Sequence, residues 1–265
     1  MKLFAKKSLG QHFLNSKHVL EQIIAAAEIK KDETVLEIGP GTGFLTRALV
    51  DAGAKVVAVE KDHRAIAMLE QDFFADIKEN RLEIIAGDIL DDSTMDSQFI
   101  IHNSQFLIVA NIPYYITGAI LEKFLEHGPR PSRMILLVQK EVAEKIVAHD
   151  KKESILSVSV KTFGTPKIIA KVSPVAFTPP PTVDSAILSI TNISDSVFSQ
   201  KNVDIQGFFR IVKAGFAHKR KFAMRNLETI FSKEKVENIW KKIGLDPKIR
   251  AEDMIVEEWV AIAGY

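Results

Sequence analysis

The chain has 265 residues, with 35 Lys and Arg against 34 Asp and Glu, and 46% of it is hydrophobic. Those values describe an ordinary soluble globular protein, long enough for one large domain or two unequal ones. There is no cysteine, which excludes disulfides and thiolate metal sites, and no stretch is apolar for long enough to span a bilayer.

The opening MKLFAKKSLGQHF has no apolar core of the kind found in secretory signals. With the missing cysteines it suits a reducing, cytoplasmic setting. Beyond it, short β-branched runs alternate with helical patterns. The runs are TVLEIG (34–39), KVVAVE (55–60), LEIIAG (82–87), FLIVAN (106–111) and MILLVQ (134–139). Near-continuous apolarity fits strands covered on both faces, as in a parallel sheet. Residues 62–77 and 117–126 read as helices between them, implying βαβ units. Two further strands are expected near 167–172 and 186–190, joined by the loop SPVAFTPPPTVDS. The polar stretch 192–202 reads as a linker. After it the patterns are only helical: 205–217, 223–231, 235–243 and 256–263. The expected fold is α/β and Rossmann-like, a mostly parallel sheet of about seven strands, followed by a small α-helical domain. Charge follows the same division. From Lys201 onward there are 13 Lys and Arg against 9 Asp and Glu, and residues 206–227 hold bases but no acid. That local excess points to a polyanionic partner.

EIGPGTG follows the first long run and opens a helix, spacing Gly39, Gly41 and Gly43 as G-x-G-x-G. A dinucleotide fingerprint wants glycine or alanine where this chain has Phe44, so NAD is disfavoured. No lysine follows the glycines, so a triphosphate is not favoured either. Glu60 closes the second strand, where a carboxylate can accept both ribose hydroxyls. Asp88 follows the third, placed to accept from an adenine amine, and Asn111 closes the fourth. Each alone is also a common solvated loop residue. Together, at one edge of one sheet, they form a pocket for a nucleoside without phosphate, and S-adenosylmethionine fits. Glu37, before the loop, either favours a cationic ligand or orients the loop. The seven histidines are scattered with no HExxH pair, so no metal site is expected.

The order EIGPGTG, Glu60, GDIL and Asn111-Ile112-Pro113-Tyr114 resembles the class I methyltransferases, and the tetrad is similar to that of enzymes methylating exocyclic amines of nucleobases. GQHFLN (10–15), FTPPPTVDSAI (177–187), FAHKRKFAMRNL (216–227) and RAEDMIVEEW (250–259) narrow the likeness. Together they resemble the bacterial small-subunit ribosomal RNA adenine N6,N6-dimethyltransferase family (KsgA/RsmA), from about Lys7 to the C-terminus. The resemblance implies dimethylation of two adjacent adenosines near the 3′ end of 16S rRNA within the small (30S) subunit. It also implies a catalytic, S-adenosylmethionine-binding domain at 1–195 and a helical rRNA-binding domain at 200–265. No membrane partner and a monomeric enzyme are expected. By the same resemblance His12 and Leu14 belong to a segment closing over the methionine part of the cofactor. Many relatives have Asn where this chain has His12.

The tetrad has a chemical reading of its own. An adenine amine is a poor nucleophile because its lone pair is delocalised into the ring. Two neutral acceptors, the Asn111 side-chain oxygen and the Ile112 carbonyl, can hold its N–H bonds so that the lone pair points at the methyl donor. Pro113 stiffens the turn. Tyr114 offers a stacking face, and Phe177 is the candidate for the opposite one. Tyr115 reads as packing. Lys219, Arg220, Lys221 and Arg225 are candidate phosphate contacts, as are Lys6 and Lys7. Three alternatives remain: a 23S rRNA methyltransferase of the macrolide-resistance type, a non-catalytic rRNA-binding assembly factor, and an NAD-linked dehydrogenase, which Phe44 opposes.

Overall fold

Runs of consecutive apolar residues bury every side chain only when a sheet is covered on both faces. The computed structural model describes residues 3–6, 9–95 and 105–265, with Met95 described by its backbone alone. Lys7 lies outside the described residues. The strands are β1 (Phe13–Leu14), β2 (Thr34–Ile38), β3 (Lys55–Glu60), β4 (Leu82–Ala86), β5 (Phe106–Asn111), β6 (Met134–Gln139), β7 (Thr165–Val172), β8 (Phe177–Thr178) and β9 (Ser185–Thr191). Seven of them form one sheet in the order β4-β3-β2-β5-β6-β9-β7. From β4 to β6 neighbours run parallel, and β9 is antiparallel to β6. Four successive residues of β2, Val35 to Ile38, are buried, so both faces of the sheet are covered. The mostly parallel, seven-stranded sheet is the one expected.

A second, two-stranded sheet pairs Phe13 with Thr178 and Leu14 with Phe177. It ties the N-terminal arm to the loop before β9, a contact between segments more than 160 positions apart that no local pattern announces.

The chain divides into two compact units, Met1–Ala143 with Lys167–Asn192, and Glu144–Pro166 with Ile193–Tyr265. This differs from a boundary at 195–200, because the segment before β7 joins the helical unit. There the helix Ile155–Phe163 buries Val158, Val160 and Phe163. The Phe163 ring meets those of Phe198 and Phe209, with centroids 5.3 and 6.1 Å apart. The supposed linker also differs from its reading. Residues Ser196–Lys201 form a helix that buries Phe198, whose ring meets Phe208 edge-on at 5.2 Å. A polar, serine-rich composition concealed one aromatic anchor. Further helices of this unit are Ile205–Gly215, Ala223–Leu227, Lys233–Ile243 and Val256–Ala263. The Phe216 ring stacks on Trp259, which is fully buried.

Replacing Phe198 with Ala is expected to cost the full-length protein about 3 kcal/mol of stability in urea denaturation. A residue in an exposed linker would change it by no more than about 0.5 kcal/mol.

Candidate active site

The chain runs outward from β2 to β3 and β4, then returns to place β5 against the other side of β2. Such a reversal opens a crevice at the carboxyl ends of the two central strands. A cavity of about 210 Å³ lies there. The loop after β2 supplies Gly39 and Gly41, the end of β3 supplies Glu60 and Lys61, and the turn after β4 supplies Gly87 to Leu90. Asn111 to Ile116 follow from β5, and Leu9 to Phe13 of the N-terminal arm complete the lining.

The glycine loop separates into two roles. Gly39 has φ +68° and nothing within 4 Å of where a Cβ would stand, so backbone meets open cavity there. Gly43 has φ +76°, and a Cβ would fall 2.6 Å from the Phe73 ring. It does not line the cavity; it lets the helix Phe44–Asp51 start against Phe73 and Leu69.

Glu60 is buried, and its carboxylate accepts three backbone N–H groups: Gly41 at 3.1 Å, Lys61 at 2.8 Å and Asp62 at 2.8 Å. Asp88 accepts from the Leu90 N–H at 3.0 Å and pairs with Lys61 Nζ at 2.7 Å. The Lys61 ammonium, helped by that N–H, holds its carboxyl below the usual carboxylate range. Glu37 is 1% exposed, and its Oε2 has no hydrogen-bond partner among the described residues. Burial pushes its carboxyl up to about 8, the Thr46 hydroxyl opposing and the Glu60 charge adding. It does not line the cavity, and a carboxyl protonated at neutral pH offers no charge to a cation. Its surroundings make Glu37 a neutral group of the core rather than a partner for a cation.

Asn111 Nδ2 donates to the His12 carbonyl at 2.9 Å. With the nitrogen committed, the side-chain Oδ1 is the acceptor the amide presents to a ligand. Ile112 is buried and donates its N–H to the Leu137 carbonyl at 3.3 Å. Pro113, at φ −53° and ψ 128°, turns the chain into the short helical turn Tyr114–Ile116. The Tyr114 hydroxyl lies 2.6 Å from Ser185 Oγ, and burial raises the phenol pKa against that hydrogen bond. Its ring lies nearly parallel to the His12 imidazole.

His12, Gly39, Gly41, Glu60, Asp88, Asn111, Ile112, Pro113 and Tyr114 therefore meet at one cavity. Leu14, Gly43 and Phe177 do not. Leu14 and Phe177 face each other across the β1–β8 pair and are 5% and 3% exposed, within the hydrophobic core. Phe177, read from the sequence as a stacking partner, is buried in this arrangement and does not line the cavity. Tyr115 is corrected in the other direction: it is 69% exposed and lines the cavity. Sequence reasoning also passed over Lys61 and Ile89. The signal for Lys61 was its place directly after Glu60.

In the helical unit, taken by itself, Lys219, Arg220 and Lys221 are exposed between two helices. Asn226 is buried and donates to the carbonyls of Gly215 and His218, pinning the start of that basic turn. Arg225 is exposed but paired with Glu228 at 2.7 Å.

Residues 3–265 match the family described as ribosomal RNA adenine dimethylase. Proteins named ribosomal RNA small subunit methyltransferase A are similar over nearly the whole chain. That of Dehalococcoides mccartyi is 39% identical, covering 97% of this chain and 87% of its own. That of Rippkaea orientalis is 38% identical, covering 96% and 95%. Among solved structures, a dimethyladenosine transferase from Plasmodium falciparum superposes with a TM-score of 0.78 at 26% identity, covering 95% of this chain and 96% of its own. The 23S rRNA methyltransferase ErmE shares the fold, with a TM-score of 0.70 at 24% identity over 94% and 97% of the two chains.

The Glu37 environment generates a pH dependence. Below pH 4.5, its ordinary pKa, the carboxyl is protonated in both folded and unfolded chains, and above about 8 it is ionised in both. Between those values only the unfolded chain has released the proton, so stability falls as pH rises, by up to about 1.4 kcal/mol per pH unit. Urea denaturation of Glu37→Gln should show it gaining on the parent from pH 5 to 8 and levelling off above.

Proposed function

The chain belongs to the ribosomal RNA adenine dimethylase family, so it is an S-adenosylmethionine-dependent rRNA adenine dimethyltransferase, and on that premise we propose its substrate and the roles of its residues. It methylates N6 of two adjacent adenosines near the 3′ end of 16S rRNA within the small ribosomal subunit, giving N6,N6-dimethyladenosine during ribosome biogenesis. It does so as a cytoplasmic monomer. No helix among the described residues is long and apolar enough to cross a membrane. The names and high coverage of the small-subunit relatives support this substrate over 23S rRNA.

The lining suits a ligand with a ribose and a purine but no phosphate. Gly39 lets such a ligand approach the backbone closely, Glu60 is held to accept ribose hydroxyls, and Asp88 is an ionised acceptor for an adenine amine. His12 presents backbone to the same cavity. The cofactor supplies an electrophilic methyl group on a positively charged sulfur.

The single observation that carries the mechanism is the bond from Asn111 Nδ2 to the His12 carbonyl. It dedicates Asn111 Oδ1 to accepting one N–H of the target amine, and the Ile112 carbonyl accepts the other. The two acceptors aim the amine's lone pair. They need not act as bases, because that proton becomes acidic only after the methyl has moved. Pro113 keeps the acceptors in register, and Tyr114 supplies a stacking face worth roughly 1–3 kcal/mol. That offsets part of the cost of extracting the base, and fixed orientation contributes the rest of the acceleration. The basic turn at Lys219, Arg220 and Lys221, with Arg225 partly neutralised, contacts rRNA phosphates and contributes affinity more than sequence choice.

Labelled S-adenosylmethionine offered with unmethylated small subunits and with protein-free 23S rRNA tests this reading. Dimethyladenosine should form in the small subunit alone; label in 23S rRNA alone would overturn the substrate. In the same assay Asn111→Ala should lose about 100-fold or more in turnover, on the scale of removing one oriented hydrogen-bond partner from an active site, with cofactor binding kept. Neutralising Lys219, Arg220 and Lys221 together should weaken binding to the small subunit and flatten its logarithmic salt slope by about 2. An unchanged slope would make the patch a solvated face.

A further inference from the structure

In the helical unit a run of exposed residues, Ala217 to Phe222, joins two helices, and residues 206–227 hold bases but no acid. The run is nonetheless fixed. Lys221 donates its N–H to the His218 carbonyl at 3.0 Å, and the Ala223 N–H meets the Ile249 carbonyl at 2.9 Å. Asn226 holds the carbonyls of Gly215 and His218. The run ends on Phe222, which opens the helix Ala223–Leu227 and is 39% exposed. That position favours Ser, Thr, Asp or Asn, whose side chain accepts a helix N–H. The helices that follow Asp204 and Ser232 in the same unit begin with such a cap, whereas Phe222 supplies none. The chain gives up a local stabilisation and keeps an aromatic side chain partly in water, directly after Lys219, Arg220 and Lys221. Departures from a local rule of this kind gather at functional sites. Ile255 also opens a helix and is 54% exposed, but it stands among Glu252, Asp253, Glu257 and Glu258, which repel a polyanion.

We propose that Phe222 is a stacking face for an unpaired nucleotide of the RNA whose phosphates Lys219, Arg220 and Lys221 hold. The proposal rests on the reading of this turn as an rRNA contact. Basic side chains alone grip the backbone of a duplex and of a single strand with little distinction. An aromatic face adds a preference, because only a nucleobase outside a double helix can lie on it. The occupant is therefore a loop, a bulge or a single-stranded end. Phe222 thus supplies the turn with selectivity for RNA structure, and the three cations supply its affinity.

The test compares full-length Phe222→Tyr, Phe222→Leu and Phe222→Thr with the parent. Binding to a short single-stranded RNA and to an RNA duplex of the same length is followed by fluorescence anisotropy across a salt series. Tyr keeps a flat face and should bind the single strand within about threefold of the parent. Leu and Thr should lose about tenfold on the single strand, in line with the loss of one stacking face, and less than about twofold on the duplex. The logarithmic salt slope should stay the same in all three, because stacking releases no counterion. Thr caps a helix well, so that variant should be at least as stable as the parent in urea, and its loss of binding is then not a loss of fold. A Leu variant equal to the parent on the single strand would overturn the proposal, because apolar bulk would suffice. Equal losses on the single strand and the duplex would also overturn it, as would an Ile255→Thr variant impaired to the same degree. Joint neutralisation of Lys219, Arg220 and Lys221 separates this inference from its premise. A salt slope unchanged by it removes the rRNA contact and the proposal together, whereas a flattened slope with no effect at Phe222 overturns the stacking alone.

Discussion

A carboxylate taken out of water is tolerated only when hydrogen bonds replace the water it loses, and the cavity is organised around one such replacement. The Glu60 carboxylate accepts backbone N–H groups from Gly41, Lys61 and Asp62. The first of these belongs to the glycine loop after β2 and the other two to the turn after β3. One side chain therefore fixes the spacing of two adjacent strand ends, and with them one wall of the cavity. Glu37 shows the alternative outcome. It is buried too, but one of its oxygens has no partner among the described residues, and burial pushes its carboxyl up to about 8. Of two neighbouring acids, one stays available to a ligand because its surroundings are made of donors, and the other is kept as a neutral part of the core.

The same logic continues to the N-terminal arm. Asp62 is buried, accepts the Arg64 N–H and guanidinium, and also receives Gln11 Nε2 at 3.3 Å. The Arg64 guanidinium, ahead of the other contacts, holds its carboxyl well below the usual carboxylate range. An acid that caps a helix thereby also anchors the arm. Farther along, Asn15 donates to Thr178 Oγ1 at 2.6 Å, next to the β1–β8 pairing. The arm is held at both ends, and His12 stands between the anchors with its carbonyl on Asn111. An element with little core of its own becomes a wall of the cavity because polar groups elsewhere need partners.

The strands were legible because their cause is local: consecutive β-branched residues have few other ways to be buried. The ends of those strands were legible for the same reason, and Gly39, Glu60, Asp88 and Asn111 do meet at one edge. Long-range pairing was not legible. Nothing around Phe177 or Leu14 announces that they face each other across a two-stranded sheet. Phe177 therefore read as a stacking face with no sign of its burial, and residues 155–163 fell within the first domain although the Phe163 ring meets those of Phe198 and Phe209. Gly43 erred from the opposite side. A glycine can be required by a ligand or by a neighbouring helix, and spacing alone does not distinguish them; the Phe73 ring does.

The acids and the neutral acceptors of the cavity stand apart. Glu60 at the end of β3 and Asp88 just after β4 lie on the cofactor side of the proposed arrangement, in which the target amine is offered an amide oxygen and a peptide carbonyl. As the methyl leaves sulfur, positive charge builds on N6, and hydrogen bonds accepted from the amine strengthen with it, so acceptors placed at the amine favour the transition state over the ground state. In the proposed arrangement an amide oxygen and a peptide carbonyl supply that stabilisation. The Asn111 amide meets that requirement only if its oxygen faces the amine, and the His12 carbonyl secures it by taking the nitrogen.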